Sequence, residues 1–257
     1  VFSAIQVREA RIEEDQRVAR ENAHQQRREW ELNRNKECER QKTITAEEIR
    51  RACTQRGIDR LYHFTPFENV SDIVSSGGLY SREALSTLEE KPIKPDSVRL
   101  DGWNNWISVS VSFPNYKLFW VYRERPDLVQ VAGWAVLQLN ASVLWENECR
   151  YLPSNAARSD RRVFDDNHWS SARAFEHLFL NPQMRQNIPN HSPTDPQAEV
   201  MVYEHIPTSY IQAILVPEAQ AISRLGSHDS IPVTVEPRVF DGRCDWEYWR
   251  GRRVPFD

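Results

Sequence analysis

Residues 1 to about 42 contain neither proline nor glycine, are dominated by Arg, Glu and Gln, and offer only scattered apolar side chains such as Ile5, Ile12, Val18, Trp30 and Leu32. Such a stretch is helix-prone yet cannot bury a continuous stripe, so it predicts a poorly amphipathic helical arm. Ile5 and Ile12 are a heptad apart, but the repeat is not sustained and a long coiled coil is not expected. The hydrophobic core must therefore be built by residues beyond the arm. On this basis the chain divides into an arm, 1–44, and one catalytic-size domain, 45–257.

Thr45-Ala46-Glu47-Glu48 matches a capping box, which predicts a helix starting at Thr45 and ending near Gly57. Leu61 to Thr65 reads as a short strand and Phe67 to Ser75 as a helix stopped by Gly77-Gly78. Residues 81 to 105 mix Pro92, Pro95, Gly102 and Asn104-Asn105, the composition of a long ordered loop. Trp106 to Phe113 alternates apolar residues with Ser108, Ser110 and Ser112, the period of a half-exposed strand. Asn115 to Tyr122 reads as a helix and Val129 to Leu139 as a strand. Tyr151 to Pro196 is polar and Pro-rich, with a helix at Ser171 to Leu180, and long insertions of this kind are more often functional than filler. Strands at Glu199 to Tyr203, Ile211 to Val216 and Ile231 to Val235 complete a strand-rich second half, which indicates an α+β fold with mostly antiparallel or mixed strands.

No stretch of eighteen or more apolar residues occurs, and Val1-Phe2-Ser3-Ala4-Ile5-Gln6 runs straight into charge, so neither a membrane span nor an intact signal peptide is expected. The absence of an initiator Met suggests a fragment. Cys38, Cys53, Cys149 and Cys244 are widely spaced, which points to neither a zinc site nor a disulfide framework and makes a reducing cytoplasm the default location. A net charge of -4 gives no global attraction for a polyanion, so any nucleic-acid contact must rest on local patches such as Arg158, Arg161, Arg162 and Arg173. No Walker-type loop, His-Glu-x-x-His or Gly-x-Ser-x-Gly element is present. Asp165-Asp166 with His168 matches no standard ligand spacing, and no metal is expected.

Gln197-Ala198-Glu199 enters the apolar run Val200-Met201-Val202, so on an extended strand the amide and the carboxylate share a face. Together with Leu61-Tyr62-His63-Phe64-Thr65-Pro66, Gly77-Gly78-Leu79, Arg99, the Ser108-x-Ser110 strand and Glu199-Val200-Met201-Val202-Tyr203-Glu204-His205-Ile206-Pro207, this triplet resembles the DarT family of nucleic-acid ADP-ribosyltransferases over roughly residues 58 to 220. The resemblance implies a split β-sandwich of mixed or antiparallel sheets with flanking helices, and NAD as co-substrate.

It further implies Glu199 as catalytic carboxylate and Arg99 as its assistant on the NAD phosphate or the acceptor. His63, Phe64, Thr65, Gly78, Leu79, Ser108 and Ser110 would line the NAD pocket. Gln197 would contact the acceptor, and His168, Trp169, Arg161 and Arg162, in the insertion, would hold a single-stranded DNA substrate by charge and stacking. A first-strand His beside Ser-x-Ser and Gln-x-Glu mixes the His-Tyr-Glu and Arg-Ser-Glu transferase patterns, and the Gln-x-Glu pairing leans towards guanine over thymine as acceptor. Membership would also imply a toxin of a toxin-antitoxin or phage-defence system with an antitoxin partner. RNA modification, protein-arginine modification, and a non-enzymatic binding module built on the arm are the rival expectations.

Overall fold

The computed structural model describes residues 4–87, 102–125, 131–156, 166–180, 185, 187–226 and 231–249. Contacts divide the chain into two units, Val1–Thr45 and Ala46–Asp257. Helix α1 runs from Ala4 to Arg56 without a break, so the capped start expected at Thr45 does not form. A capping box stabilises a helix end only where the preceding residues leave the helix. Upstream of Thr45 nothing loosens the backbone or lacks an amide, and propagation continues. Exposed pairs such as Arg27–Glu31 and Lys42–Glu39 line the first unit, each worth about 0.2–0.5 kcal/mol. The helix stops where expected. Gly57 takes a left-handed φ of 71°, and the Ile58 amide donates to the Cys53 carbonyl at 2.9 Å.

The second unit is built on nine strands among the described residues: β1 (Arg60–Pro66), β2 (Gly78–Tyr80), β3 (Trp106–Val111), β4 (Trp134–Asn140), β5 (Cys149–Leu152), β6 (Glu199–Tyr203), β7 (His205–Pro207), β8 (Ile211–Val216) and β9 (Val233–Val235). Between them lie α2 (Val70–Ser75), α3 (Arg82–Thr87), α4 (Tyr116–Arg123), α5 (Val143–Glu146), α6 (Asp166–Trp169), α7 (Ala172–His177), α8 (Ala219–Leu225) and α9 (Trp246–Trp249). Seven strands form one sheet in the order β5-β6-β3-β1-β4-β8-β9, antiparallel except for β8 and β9, and β2 pairs with β7 separately. The fold is α+β, as the strand and helix pattern predicts.

One junction in the sheet is weak. β1 pairs with β4 along its whole length, from Arg60↔Asn140 to Pro66↔Trp134, but meets β3 only at Leu61↔Val111 and Tyr62↔Ser110. Beyond Tyr62 the sheet opens into two wings, β5-β6-β3 and β1-β4-β8-β9.

Alternation along the strands separates two faces. On one, Leu61, Val109, Leu137, Val200 and Ile214 pack with Ile49 and Cys53 of α1, Val70 of α2 and Phe175 of α7 as the main core. The other face carries two smaller clusters. Tyr62, Val136, Ala213 and Leu215 lie with Phe119, Val239 and Phe240, while Trp106, Leu152 and Met201 lie with Ala156 and Trp169. The junction of the two wings runs between these clusters as a polar seam.

Short elements escape the sequence pattern. β5 falls at the start of the stretch read as a polar insertion, because Arg150 interrupts its apolar pattern. The buried guanidinium of Arg150 is held over the rings of Trp106 and Trp103, at 4.0 and 4.6 Å. Elsewhere local signals hold: Asn115 accepts from the Leu118 amide at 3.1 Å and Ser171 from that of Ala174 at 3.1 Å, capping α4 and α7.

Burial pushes the Cys53 and Cys149 thiols up to about 12, whereas Cys38 and Cys244 are exposed. A thiol reagent at pH 8 should therefore titrate two cysteines of the native chain quickly and all four after denaturation, with the buried pair reacting at least about 100-fold more slowly because so little thiolate forms. Rapid native reaction of a third thiol would contradict the core assigned to α1 and β5.

Candidate active site

Glu199 is the first residue of β6 and is buried, with 5% of its surface exposed. It pairs across the sheet with Leu152 of β5, and the register Val109↔Val200, continued by one residue, sets Ser110 of β3 on its other side. Tyr62 pairs in turn with Ser110. Directly opposed residues share a face, so Leu152, Glu199, Ser110 and Tyr62 form one row across the seam.

One carboxylate oxygen of Glu199 accepts the Ala156 amide at 3.0 Å. Ala156 belongs to the turn that leaves β5, so the strand beside Glu199 also supplies the donor that orients it. A carboxylate taken out of water needs such charge-assisted partners. Arg150 faces the same side from one strand over, opposite Met201. It stands diagonal to Glu199 in the ladder, which places a positive charge in the same wall of the seam.

The first strand contributes through both faces. Tyr62 and Phe64 turn to the seam side, where Phe64 stacks on Phe119 at 4.7 Å between ring centroids and meets the edges of Tyr122 and Trp134. Burial pushes the Tyr62 phenol above its ordinary range, against the opposing pull of Arg60. His63 is half-buried, and its Nδ1 lies 2.9 Å from the Ser108 carbonyl. A carbonyl only accepts, so Nδ1 carries the proton there. The imidazole thus spans the opening where the β1–β3 ladder has stopped.

Ser110 accepts the Asn115 amide on its hydroxyl at 3.0 Å, which ties the start of α4 to the middle of the seam. Ser112, at φ 60°, turns the chain between them.

Several expected contacts are placed elsewhere. Gln197 is not on the strand beside Glu199: it lies half-buried in the preceding turn, with its amide donating to Asp195 Oδ1 at 2.8 Å. Proline at 196 and the Asp195 carboxylate favour that turn over an extended backbone. Trp169 offers no open face for a base, because its indole is 2% exposed and packed with Trp106, Leu152, Ala156 and Met201. His168 beside it is exposed and meets Trp169 edge-on at 4.6 Å.

Thr65 is buried at the end of β1, its hydroxyl accepting from Asn69 Nδ2 at 3.2 Å, and so serves the turn after the strand. Leu79 is a main-core residue and presents no side chain to a ligand. Gly78 serves a close approach: a Cβ there would sit 2.2 Å from the Ile206 carbonyl oxygen, so β2 meets β7 only through glycine. Arg99, Arg161 and Arg162 lie outside the described residues.

Residues at the site that sequence reasoning passes over are Arg150, the Ala156 amide and Asp195. The Cys149/Tyr151 alternation around Arg150 is the available signal for the first. The other two depend only on the chain's path. No helix among the described residues is long and apolar enough to cross a membrane, and no group of three His, Cys, Asp or Glu among them could hold a metal ion. A separate cavity of about 220 Å³, lined by Phe67, Trp134, Pro217 and Phe240 among others, lies at the Pro66 end of β1. That end is several residues along the strand from Glu199, roughly 13 Å at strand spacing.

A family model described as DarT, ssDNA thymidine ADP-ribosyltransferase, matches residues 62–241. No curated protein sequence matches the chain. Among solved structures, Thermosipho africanus DarTG in complex with ADP-ribose shares 18% identity over 70% of this chain and 50% of its own, with a TM-score of 0.45. Thermus sp. 2.9 DarT in complex with NAD+ shares 12% identity over 71% of this chain and 97% of its own, with a TM-score of 0.43. The same protein with ADP-ribosylated ssDNA shares 14% over 71% and 96%, at 0.42. The chain thus spans about half the length of the Thermosipho protein and nearly all of the Thermus one. The family match runs from the first strand of the seam, past Glu199, to the segment that closes over the second cluster. By that match the chain belongs to the DarT family of single-stranded-DNA ADP-ribosyltransferases.

Proposed function

We propose that this chain transfers ADP-ribose from NAD to a base of single-stranded DNA, with Glu199 as the catalytic carboxylate. The observation that carries the assignment is a buried carboxylate, oriented by the Ala156 amide, at the edge of the opening between the two wings of the sheet.

The chemistry asks for that arrangement. The bond between nicotinamide and the anomeric carbon breaks with its electron pair passing to the nicotinamide ring. Positive charge develops on the sugar, a base atom donates its pair to the anomeric carbon, and the N–H proton of that base passes to water. A carboxylate fixed beforehand stabilises the charged sugar more than the resting substrate, and no reorganisation is needed at the moment of reaction. The donor set fits such a substrate. His63, fixed across the opening through Ser108, is assigned to the ribose and carboxamide side, and Ser110 to the wall between Glu199 and Tyr62. Arg99 is assigned to the NAD phosphate or the acceptor because a guanidinium recognises phosphate through two parallel bonds. Gln197, His168, Arg161 and Arg162 are assigned to the nucleic acid.

For the acceptor base, the family description supports thymidine. The guanine preference read from Gln-x-Glu loses its geometric basis once Gln197 sits in a turn and not two residues along a strand. Guanine is the second reading. A toxin role, opposed by a partner that binds the enzyme or removes the modification, extends the same family assignment to the cell.

Labelled NAD offered with thymine-only and guanine-containing single-stranded DNA, with RNA, and with protein separates these readings. Label on thymine-only DNA is the expected result, and nucleoside mass spectrometry identifies the modified base. Label confined to guanine would restore the second reading, label on RNA or arginine would move the acceptor class, and no NAD turnover would leave only a binding module.

Glu199→Gln keeps an acceptor for the Ala156 amide but removes the charge. It should leave the melting temperature nearly unchanged while lowering transfer by about 10³-fold or more. Wild-type turnover in this variant would defeat the catalytic assignment.

A further inference from the structure

The segment 189–198 delivers the chain to Glu199, and two arginines grip its carbonyls. Arg185 donates to the Ser192 carbonyl at 2.9 Å, the Thr194 hydroxyl at 3.0 Å and the Pro189 carbonyl at 3.1 Å. From the far end of the chain, Arg243 donates to the Pro193 carbonyl at 2.8 Å and the Thr194 carbonyl at 3.2 Å. Arg243 is itself locked. Asp245 takes its Nε and Nη2 in a two-pronged pair, both at 2.6 Å, and the Trp249 indole donates to the same carboxylate at 2.6 Å. The side chains of Arg243 and Asp245 are only 4% and 5% exposed.

The next residue carries the constraint forward. Asp195, 1% exposed, accepts the Gln197 amide on its carboxylate at 2.8 Å and the Ala198 amide on its carbonyl at 3.1 Å. The orientation of Gln197 and the start of β6 at Glu199 are thereby set by the carbonyls that Arg243 holds. A buried ion pair is weak evidence for stability, since an apolar replacement of like volume is often neutral. Its better-attested use is to select one geometry. Arg243, Asp245 and Trp249 all lie beyond residue 241, where the family match ends.

We infer that Arg243, oriented by Asp245, is a positioning residue that fixes the 189–198 segment so that Glu199, which follows it, is presented to the seam in one arrangement. The structural part stands by itself, and the kinetic part rests on the function proposed above. Arg243→Lys keeps the charge but loses the fork, Asp245→Asn keeps an acceptor for Trp249 but loses the charge, and Trp249→Phe removes only the indole donor.

Hydrogen exchange of the full chain, followed in peptides covering 189–199, should speed up by tenfold or more in Arg243→Lys and Asp245→Asn, with peptides from β1 and β4 unchanged. Unaltered protection there would overturn the inference whatever the activity, and a wild-type chain that fails to label DNA would count against the proposed function and not against the clamp. In kinetics, kcat for transfer to DNA should fall by about tenfold while KM for NAD stays within about twofold, and transfer should fall more than NAD hydrolysis without DNA. Equal loss of both activities in proportion to unfolded protein, with exchange unchanged, would mark a merely structural role and overturn the inference. Should Arg243→Lys fail to fold, Trp249→Phe provides the same exchange readout with a smaller expected change.

Discussion

The β1–β3 junction governs this molecule. A continuous antiparallel ladder would leave no room between its strands, because neighbours sit about 4.8 Å apart with their backbone groups consumed by each other. Here the ladder ends after Tyr62↔Ser110, and the Ser108 carbonyl that it would have engaged is taken by the His63 imidazole. The opening is therefore stabilised by a side chain where a backbone partner is missing, as buried polar groups require. The separation of the second face into two apolar clusters, with Ser110 and Glu199 in the row between them, is a result of that break.

What could be read in advance divides along the range of the interactions. The runs Trp106–Val111, Glu199–Tyr203 and Ile211–Val216 report strands because short apolar stretches of this length suit a strand buried on both faces, and the first is buried nearly throughout where alternation with serine predicts a half-exposed strand. Gly57 and Asn115 mark helix ends through their own backbone and side-chain chemistry. The Thr45 box fails for an equally local reason: its signal is conditional on a break upstream that the sequence does not contain. β5 is hidden for a distant one. Arg150 looks like a solvent residue until Trp103 and Trp106, over forty positions earlier in the chain, are known to receive it.

The same division applies to the site. Glu199 is legible because a carboxylate opening an apolar strand is unusual in composition alone. The donor that orients it is not, since any residue but proline supplies an amide and only the return of β5 brings Ala156 there. Trp169 shows the limit of reasoning from residue type. An indole suits stacking on a base and suits a core equally, and its 2% exposure decides for the core. Gln197 and Glu199 keep their adjacency in sequence but not the shared strand face, because Asp195 and Pro196 bend the chain before the ladder begins.

This placement of Glu199 has a mechanical consequence. A residue in mid-strand has its backbone fixed on both sides, whereas the first residue of a strand is fixed by the ladder only downstream. Its upstream side must be held by something else if the carboxylate is to stay within the few tenths of an ångström that electrostatic preorganisation demands. The 189–198 segment has no ladder of its own, so its carbonyls are left to side-chain donors, and guanidinium groups, which present several N–H bonds in one rigid plane, are suited to gripping more than one at once. Placing the acid at the strand's edge leaves the preceding turn outside the ladder. It also transfers the burden of rigidity to Arg185 and Arg243, which hold the carbonyls of the segment leading into the strand.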